Sequence, residues 1–326
     1  MITTSSFLAP VDDDLHILTE NLKQLVGARH PILRAAAEHL FAAGGKRIRP
    51  AIVLLVARAT IGDNGSEDIS PRHRRLAEIT EMIHTASLVH DDVVDEANLR
   101  RNVPTVHSLF DNKVAVLAGD FLFAQSSWYL ANLDNLEVVK LLSEVIRDFA
   151  EGEILQSLNS FDPNLSVEAY LEKSYYKTAS LIANSAKAAG ILSDVNEETA
   201  DNLYQYGRNL GLAFQIVDDI FDFTGSTKIL GKPTSSDLAN GILTVPVLYA
   251  MEEKPYLQVL IEREFSEEGD LEEALDLVRN GNSITRTKEL ATTYAGLAKQ
   301  NLECLSVSDS SEALRELTDY ALSRLY

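Results

Sequence analysis

The residues best able to do chemistry lie in one stretch, Glu81 to Arg101, whose sequence is EMIHTASLVHDDVVDEANLRR. If this stretch is helical, Asp91 and Asp95 are four residues apart, so their carboxylates stack on one face about 6 Å apart along the axis. Mg²⁺ prefers such oxygen ligands and takes further ones from substrate phosphates and water. One isolated cluster of this kind is as consistent with a solvated acidic helix end as with a site for Mg²⁺ and a diphosphate.

A second copy of the acidic pattern occurs in Gly211 to Gly225, GLAFQIVDDIFDFTG. Asp218 and Asp222 repeat the four-residue spacing, Asp219 lies beside them, and the flanking residues are strongly apolar. Solvated acidic faces are not flanked in this way, and buried carboxylates repel one another unless cations compensate them. The two copies together therefore predict a shared metal site that holds more than one ion.

The densest group of cations lies in Gly44 to Pro50, GGKRIRP. Its two glycines let the backbone turn without Cβ clashes, and Lys46, Arg47 and Arg49 then supply donors where an apolar helix begins. Cations at a helix N-terminus oppose the helix dipole, which favours an anionic ligand over the alternative of a basic surface. A diphosphate is the expected ligand.

Other polar groups lie around the first acidic motif. His84 precedes Asp91 by two helical turns and lies on nearly the same face, where it could donate to a phosphate. A lone histidine on a helix is usually structural, and only this alignment raises it above that. Arg100 and Arg101 follow the helix and offer two guanidinium groups suited to phosphate oxygens.

Three further sites of interest accompany the second motif. Lys177 and Thr178, in SYYKTASL, bring a cation and a hydroxyl side by side, which means little by itself. Gln215 lies three residues before Asp218 and shares its helix face, where its amide can orient a carboxylate or a substrate. Lys232 lies in the loop sequence GSTKILGKP, which could close over a metal-bound anion.

No Gly/Ser/Pro-rich linker or low-complexity tract interrupts the 326 residues, so we expect a single domain over residues 1–326. Proline is absent from 105 to 162 and from 164 to 232, which leaves room for long helices. Apolar residues recur there at spacings of three and four, and the alternation typical of strands is absent. The sequence therefore predicts an all-α bundle.

Several helix starts can be predicted from capping residues. Ser166 and Asn196 each precede a helical pattern and are expected to be N-caps. Asp270 and Glu273 have the spacing of a capping box, in which each side chain bonds the other residue's backbone N–H.

Composition excludes several classes of function. A formal charge of −20 disfavours nucleic acid, whose binding requires clustered Lys and Arg, although Mg²⁺ and a few local cations can still hold a diphosphate. A single cysteine, Cys304, excludes a disulfide framework within the chain. No stretch approaches the ~20 apolar residues of a transmembrane helix, and the first residues lack a targeting pattern, so we expect a cytoplasmic protein.

In this order, GGKRIRP, HDDVVDEANLRR, YKTAS and FQIVDDIFDFTGSTKILGKP resemble the trans-isoprenyl diphosphate synthases over essentially the whole chain. PRHRRLAEITEMIHTASLVHDDVVDE, FLFAQSSWYLANL and YALSRLY resemble, more narrowly, the cyanobacterial and plastid type of solanesyl diphosphate synthase. The resemblance implies an all-α, single-domain isoprenoid synthase helical bundle around a central substrate tunnel. It also implies a homodimer, dependence on Mg²⁺, and product release that could involve peripheral contact with a membrane.

The resemblance also implies a role for each matching residue. Isopentenyl diphosphate would be held by Lys46, Arg49, His84 and Arg101. The allylic prenyl diphosphate would be held by Arg100, Lys177, Thr178, Gln215 and Lys232. Metal ligands would be Asp91, Asp95, Asp218 and Asp222, and the residues assigned to catalysis are Asp91, Asp92, Asp95, Lys177 and Asp218.

Product length in such enzymes depends on the residues just before the first acidic motif. Here these are Ala86 and Ser87, which are small, so we expect the tunnel to continue past them to a long product. Ordinary helix packing of small residues is the alternative explanation. Two positions depart from many relatives: Ile242 stands where a lysine is frequent, which removes one cation, and Asn102 replaces a glycine but tolerates a left-handed conformation.

Four alternatives to a long-chain synthase follow from the same residues. A geranylgeranyl or other medium-chain diphosphate synthase uses the same chemistry and differs only in its product. A class I terpene cyclase is disfavoured because its second metal motif is normally of an Asn/Ser/Glu kind. A non-catalytic partner subunit would be expected to lose metal ligands, and a purely structural bundle leaves the joint presence of both acidic and both basic motifs unexplained.

Overall fold

The computed structural model describes residues 7–25, 30–42, 44–61, 68–224 and 236–323, and these residues are almost entirely helical, which confirms the all-α prediction. The helices are α1 Asp12–Leu25, α2 Pro31–Ala42, α3 Ile48–Ile61, α4 Pro71–Val94, α5 Val106–Leu109, α6 Asn112–Ala131, α7 Leu136–Leu158, α8 Val167–Ser174, α9 Ser180–Leu192, α10 Glu197–Thr224, α11 Ser236–Ala239, α12 Val245–Glu253, α13 Tyr256–Glu262, α14 Asp270–Arg279, α15 Ser283–Asn301 and α16 Asp309–Ser323.

Short elements also occur between and beside these helices. Two 3₁₀ turns span Ala9–Val11 and Leu302–Cys304. Strands β1, Leu99–Arg100, and β2, Val103–Pro104, pair antiparallel directly after α4. This ribbon reverses the chain immediately beyond the first acidic motif.

Capping side chains set the starts of several helices. Ser166 accepts a hydrogen bond from the backbone N–H of Ala169 at 3.2 Å, and Asn196 accepts one from Thr199 at 2.8 Å, as predicted. The capping box predicted at Asp270 is wrong: the N-cap is Gly269, with φ 92°, and Asp270 is the first residue of α14. Its carboxylate instead forms an ion pair with Arg263, which competes with the local bond.

The apolar core contains two large groups of buried side chains, and α10 contributes to both. Leu203 and Tyr206 belong to the first group, with residues of α1, α3, α4, α7 and α9. Ile216 and Val217 belong to the second, with residues of α12 to α15. Because the long helix α10 contributes to both groups, the helices that carry functional residues are positioned against it.

Within the described residues, no helix is both long enough and apolar enough to cross a membrane.

A π-helical segment, Tyr175–Ala179, joins α8 to α9 and contains the predicted Lys177 and Thr178. It lies close to α10, because a Cβ atom at Gly211 would be only 2.5 Å from the Cα of Ala179. On its other side, a Cβ at Gly152 of α7 would be 2.9 Å from Cγ of Lys177. Glycines on two helices thus permit an approach that a side chain would prevent.

We expect Gly211→Ala to lower the free energy of unfolding by about 1–3 kcal/mol, because the added methyl group must displace backbone of the π segment. Urea unfolding followed by circular dichroism measures this. Gly296→Ala in α15 is the matched control, since its Cβ would meet nothing within 4 Å, and we expect it to be neutral or to stabilise by about 0.5–1 kcal/mol. Equal effects of the two substitutions would contradict the packing explanation.

Candidate active site

Two adjoining cavities contain most of the predicted site residues. The smaller, of about 480 Å³, lies between the Gly44–Gly45 loop, α4 and the β-ribbon. The larger, of about 1260 Å³, lies between the end of α4, α7, the π segment and α10. Arg49, His84, Asp92, Arg100 and Arg101 line both cavities, so the two are neighbouring parts of one site.

The end of α4 directs the first acidic motif into the larger cavity. The N–H of Asp95 donates to the carbonyl of Asp91 at 2.8 Å, so the two residues are one helical turn apart and both line the cavity, as predicted. Burial and then the nearby Glu153 raise the pKa of Asp91 to about 6, against the opposing effect of Lys177. A carboxyl group held in this way gains from any cation that arrives beside it.

Asp92 has a different environment from its two neighbours. It is buried and accepts a hydrogen bond from Arg100 Nε at 2.7 Å. Burial is the main cause that raises the pKa of Asp92, and Arg100 opposes it. This ion pair joins the acidic helix end to strand β1, so Arg100 lines the cavity with part of its donor capacity already used.

The second acidic motif lies on α10, and metal binding by Asp218 and Asp222 stays a prediction. Burial lowers the pKa of the Arg49 guanidinium, and Glu81 and Asp218 act in the opposite direction. Asp222 accepts a hydrogen bond from the N–H of Asp237 at 3.4 Å. Neither Asp218 nor Asp222 lines the two cavities, whereas the buried Asp219 lines the larger one. Burial raises the pKa of Asp219 to about 7.

The donor set fits Mg²⁺ that arrives with a diphosphate. Among the residues described, no three His, Cys, Asp or Glu side chains lie close enough together to hold an ion by themselves. Asp91 and Asp95 nevertheless present hard oxygen ligands to a cavity that also holds cations, and Mg²⁺ takes its remaining ligands from phosphate oxygens and water. Such a site requires few protein ligands for each ion.

The Gly44–Gly45 loop packs directly on Arg101. Gly44 has φ 67° and Gly45 has φ 157°, and a Cβ at Gly45 would lie 2.6 Å from Arg101 Nη1. Arg101 itself has φ 53° and donates to the carbonyl of Gly44. Asn102, with φ 63°, adopts the left-handed conformation expected of it. The two glycines therefore position one of the predicted phosphate-binding guanidinium groups.

The cations after the glycines separate into different environments. Arg47 forms a buried ion pair with Glu81 on α4 and fixes the start of α3. Lys46 lines the smaller cavity, and its Nζ donates to the Tyr320 hydroxyl of α16 at 2.6 Å. Arg49 lines both cavities, and its buried Nε has no hydrogen-bond partner among the described residues. A buried donor without a partner costs free energy of folding, so a ligand that supplies an acceptor to Arg49 would recover that cost.

His84 is a neutral imidazole with a defined tautomer. Arg49 Nη1 lies 3.1 Å from His84 Nε2, and because arginine can only donate, Nε2 accepts and the proton is on Nδ1. Burial holds the pKa of His84 well below its usual value, and Arg49, Arg101 and Arg100 lower it further. His84 therefore retains one N–H donor without carrying a charge.

The opposite wall of the larger cavity is a chain of hydrogen bonds between the π segment and α10. Thr178 Oγ1 donates to Gln215 Oε1 at 2.8 Å, and Gln215 Nε2 donates to Asp219 Oδ1 at 2.9 Å. The Tyr170 hydroxyl donates to the other oxygen of Asp219. Thr178 and Gln215, predicted separately, are thus brought together as one unit.

Lys177 is held by two α7 residues that the sequence analysis did not single out. Its Nζ forms an ion pair with Glu153 and donates to Gln156 Oε1 at 3.0 Å. The three-residue spacing of Glu153 and Gln156 directly after Gly152 was the available signal, since it places two polar groups on one helix face beside a glycine. Asp237, Asn240 and Lys173 also line the cavity and were likewise missed.

The remaining predicted residues lie in varied surroundings. Ser87 lines the larger cavity, whereas Ala86 is fully buried in the first core group. Ile242 lines the larger cavity and brings an apolar side chain to it. Lys232 falls between 225 and 235, outside the described residues.

Comparison with known proteins adds to this geometry. The family model described as "Polyprenyl synthetase" matches residues 30–278, a range that includes both cavities. The chain belongs to the polyprenyl synthetase family. Both acidic motifs and both groups of cations lie inside the matched range.

Named members of the family are similar over nearly the full chain. A "Prenyl transferase" of Synechocystis sp. is 71% identical, and the match covers 100% of each chain. "Solanesyl diphosphate synthase 2, chloroplastic" of Arabidopsis thaliana is 54% identical over 99% of this chain and 78% of that protein. A polyprenyl synthase structure from Caulobacter crescentus, complexed with calcium and isoprenyl diphosphate, has a TM-score of 0.90 and 35% identity over 98% of each chain.

We expect the stability advantage of the metal-free wild type over His84→Gln to shrink as pH falls. The folded-state pKa of His84 is lowered, so below the unfolded value of 6.5 only the unfolded wild-type chain gains this proton. The effect approaches ~1.4 kcal/mol for each pH unit below 6.5. Urea unfolding at pH 7.5 and 5.5 measures it, with glutamine able to accept from Arg49. A pH-independent difference would show that His84 takes up its proton equally in the folded and unfolded chains, and it would contradict the lowered pKa.

Proposed function

We propose that this chain is a Mg²⁺-dependent trans-prenyltransferase that condenses isopentenyl diphosphate head-to-tail onto an allylic prenyl diphosphate. The observation that carries the proposal is the division of the site. Acidic residues on α4 face a larger cavity whose other wall has Lys177, Thr178 and Gln215, and a smaller cationic cavity adjoins it. Two anionic substrates that react with each other require two such neighbouring sites.

The proposed allylic site is the larger cavity. Its diphosphate would contact Arg100, Lys177, Thr178 and Gln215, with Lys232 contributed from outside the described residues. Asp91, Asp95, Asp218 and Asp222 are the proposed metal ligands, of which Asp91 and Asp95 line the cavity. Mg²⁺, when bound, would neutralise diphosphate charge and help this group to leave.

The proposed isopentenyl diphosphate site is the smaller cavity, with Lys46, Arg49, His84 and Arg101. Within the part of the chain that the structure describes, Arg49 has a buried donor without a partner and His84 has one N–H that remains available. Neutral His84 can donate to a phosphate oxygen without adding to the repulsion among the three cations. Fixed donors of this kind hold the isopentenyl double bond at one distance from the allylic carbon.

The reaction then requires one bond to break and one to form. The C1–O bond of the allylic substrate breaks, and the diphosphate leaves with the electron pair toward Lys177, Thr178 and Arg100. The double bond of isopentenyl diphosphate supplies the electrons of the new C–C bond, and a proton leaves the adjacent carbon. Among the described residues lining the cavities we find no dedicated base, which is consistent with the departing diphosphate accepting this proton.

We propose a long all-trans product, solanesyl diphosphate with nine isoprene units, for the side chain of plastoquinone. The identity to the Arabidopsis solanesyl diphosphate synthase supports this length, as does the small Ser87 on the cavity wall. A geranylgeranyl or other medium-chain product is the alternative within the same reaction. The same proposal includes a single domain over residues 1–326, which is supported by the participation of α10 in both core groups. It also includes residence in the cytoplasm.

We expect a dominant nine-unit product when purified protein is incubated with Mg²⁺, isopentenyl diphosphate and either farnesyl or geranylgeranyl diphosphate. Reversed-phase chromatography of the dephosphorylated products measures the chain length. Asp91→Ala is expected to lower the rate by about 10³-fold or more, because it removes a carboxylate from the site of developing charge. Chelation of the metal should have a similar effect.

The other outcomes separate the alternatives. A short product lost in Asp91→Ala would retain the reaction and overturn the proposed length. No condensation with any primer, by a protein that is folded by circular dichroism, would favour a non-catalytic partner subunit.

We also propose a homodimer, on the basis of apolar faces on α6 and α7. Leu117 and Trp128 are eleven residues apart on α6 and so share a face, and Trp128 is 61% exposed. Leu136, Ile154 and Leu158 share a face of α7 in the same way, and Leu158 is 73% exposed. Neighbouring exposed apolar faces of this kind are typical of protein interfaces.

We expect Trp128→Glu to convert this dimer to a monomer, because it removes an aromatic anchor and introduces a charge that must be desolvated. Sedimentation velocity across a concentration series measures the change, with an expected rise in dissociation constant of about 100-fold or more. Val259→Glu, at an exposed apolar residue of α13, is the matched control. A dimer retained in Trp128→Glu, or a monomeric wild type, would place the proposed interface in error.

A further inference from the structure

Lys173 is a buried cation that the residue assignments above do not use. It lies in the last turn of α8, four residues before Lys177, and its side chain lines the larger cavity. Only 8% of the residue is exposed. A lysine in such a position has lost most of its hydration, so its ammonium group requires another source of stabilisation.

The described residues do not supply that stabilisation as a hydrogen bond or an ion pair. No described carboxylate oxygen lies within 4.0 Å of Lys173 Nζ. The nearest partner is the Tyr170 ring, whose centroid is 5.1 Å from Nζ. Among the carboxylates, Asp219 has the largest electrostatic effect on the pKa of Lys173, but its two oxygens already accept hydrogen bonds from Tyr170 and Gln215. The three ammonium protons are therefore available to a ligand in the cavity.

The charge around Lys173 is suited to a transient anion. Burial lowers the pKa of Lys173, while Asp219, Asp237 and Glu153 act in the opposite direction from a distance. An anion that binds beside Lys173 would stabilise its protonated amine in the same direction as these carboxylates do. A metal cation would be repelled by the same group, so the expected ligand is the diphosphate itself.

The connection between α11 and α12 also lines the larger cavity and brings no cation to it. Ile242, between α11 and α12, lines the same cavity with an apolar side chain. Lys173 and Lys177 are thus the lysines that line this cavity among the described residues. Helix α8 therefore brings a buried ammonium group to this cavity, whereas the α11–α12 connection brings none.

We propose that Lys173 binds the diphosphate of the allylic substrate and supplies the positive charge that Ile242 does not. The proposal rests on the function proposed above, because it assigns Lys173 to one of the two substrates of that reaction. An ammonium that hydrogen-bonds the departing diphosphate lowers the allylic KM and assists departure. It has no reason to alter the binding of isopentenyl diphosphate in the neighbouring cavity.

Lys173→Met tests this proposal, because methionine retains most of the volume and removes the charge. We expect the allylic KM to rise about 10- to 100-fold, as for the loss of one charge-assisted hydrogen bond, while the isopentenyl diphosphate KM changes less than about twofold. Lys173→Arg should recover part of the loss. Lys187→Met is the matched control, since Lys187 is ion-paired with Asp201 on the protein surface and does not line the cavity.

A binding measurement without turnover accompanies the kinetics. Isothermal titration of inorganic pyrophosphate in the presence of Mg²⁺ should show about tenfold or more weaker binding to Lys173→Met than to the wild type. Equal pyrophosphate affinity, or an equal rise of both KM values, would overturn the proposal. A loss of folding stability with unchanged affinity would instead assign Lys173 a structural role and overturn it as well.

The double variant Lys173→Met/Ile242→Lys tests the exchange between the two positions. We expect it to regain at least about a third of the lost pyrophosphate affinity, and no recovery would overturn the claim that Lys173 compensates for Ile242. The wild type provides the separate test of function. If it condensed no substrates, the proposed reaction would fail, while the pyrophosphate titrations would still decide whether Lys173 binds a diphosphate.

Discussion

The constraint on which this structure depends is the cost of holding charges between apolar helices. Arg47 with Glu81, Arg100 with Asp92 and Lys177 with Glu153 are ion pairs that each join two elements around the cavities. Pairing recovers much of the free energy lost when each group leaves water. These pairs fix the end of α4, the start of α3 and the π segment relative to one another, so compensation of charge also determines the shape of the site.

The groups that remain imperfectly compensated are the ones that face the cavities. Among the described residues, Arg49 Nε has no hydrogen-bond partner and Lys173 Nζ has no carboxylate oxygen within 4.0 Å. Asp91 and Asp219 have raised pKa values. Each arrangement costs stability in the metal-free protein. Positive and negative groups of this kind within one cavity are complementary to a ligand that carries both, such as a diphosphate with its divalent cations. Groups with displaced pKa values are concentrated at functional sites for this reason.

Sequence patterns predicted the features that depend on local spacing. The four-residue separation of Asp91 and Asp95, the caps at Ser166 and Asn196, and the glycine turn before α3 are all present in the structure. Each is decided within a few residues, where helix geometry leaves little freedom.

Features decided by packing between distant helices were not predictable in this way. Whether Asp218 or Asp219 lines the cavity depends on the rotation of α10, which Gly207 and Gly211 set by close approach to the preceding helix. The capping box predicted at Asp270 is absent because the helix begins at Asp270 itself, whose carboxylate contacts Arg263 and the backbone N–H of Glu267. Lys173 resembled an ordinary surface lysine in the sequence, since no local pattern indicated that it is buried and lines the cavity.

The π segment has a consequence for how this site can change through evolution. A π turn accommodates an extra residue, which rotates everything before it by about 100° relative to the helix that follows. The face that α8 turns toward the cavity is consequently offset from the face that α9 buries in the core. Substitutions at position 173 can therefore alter the charge of the cavity while the packing of α9 stays unchanged.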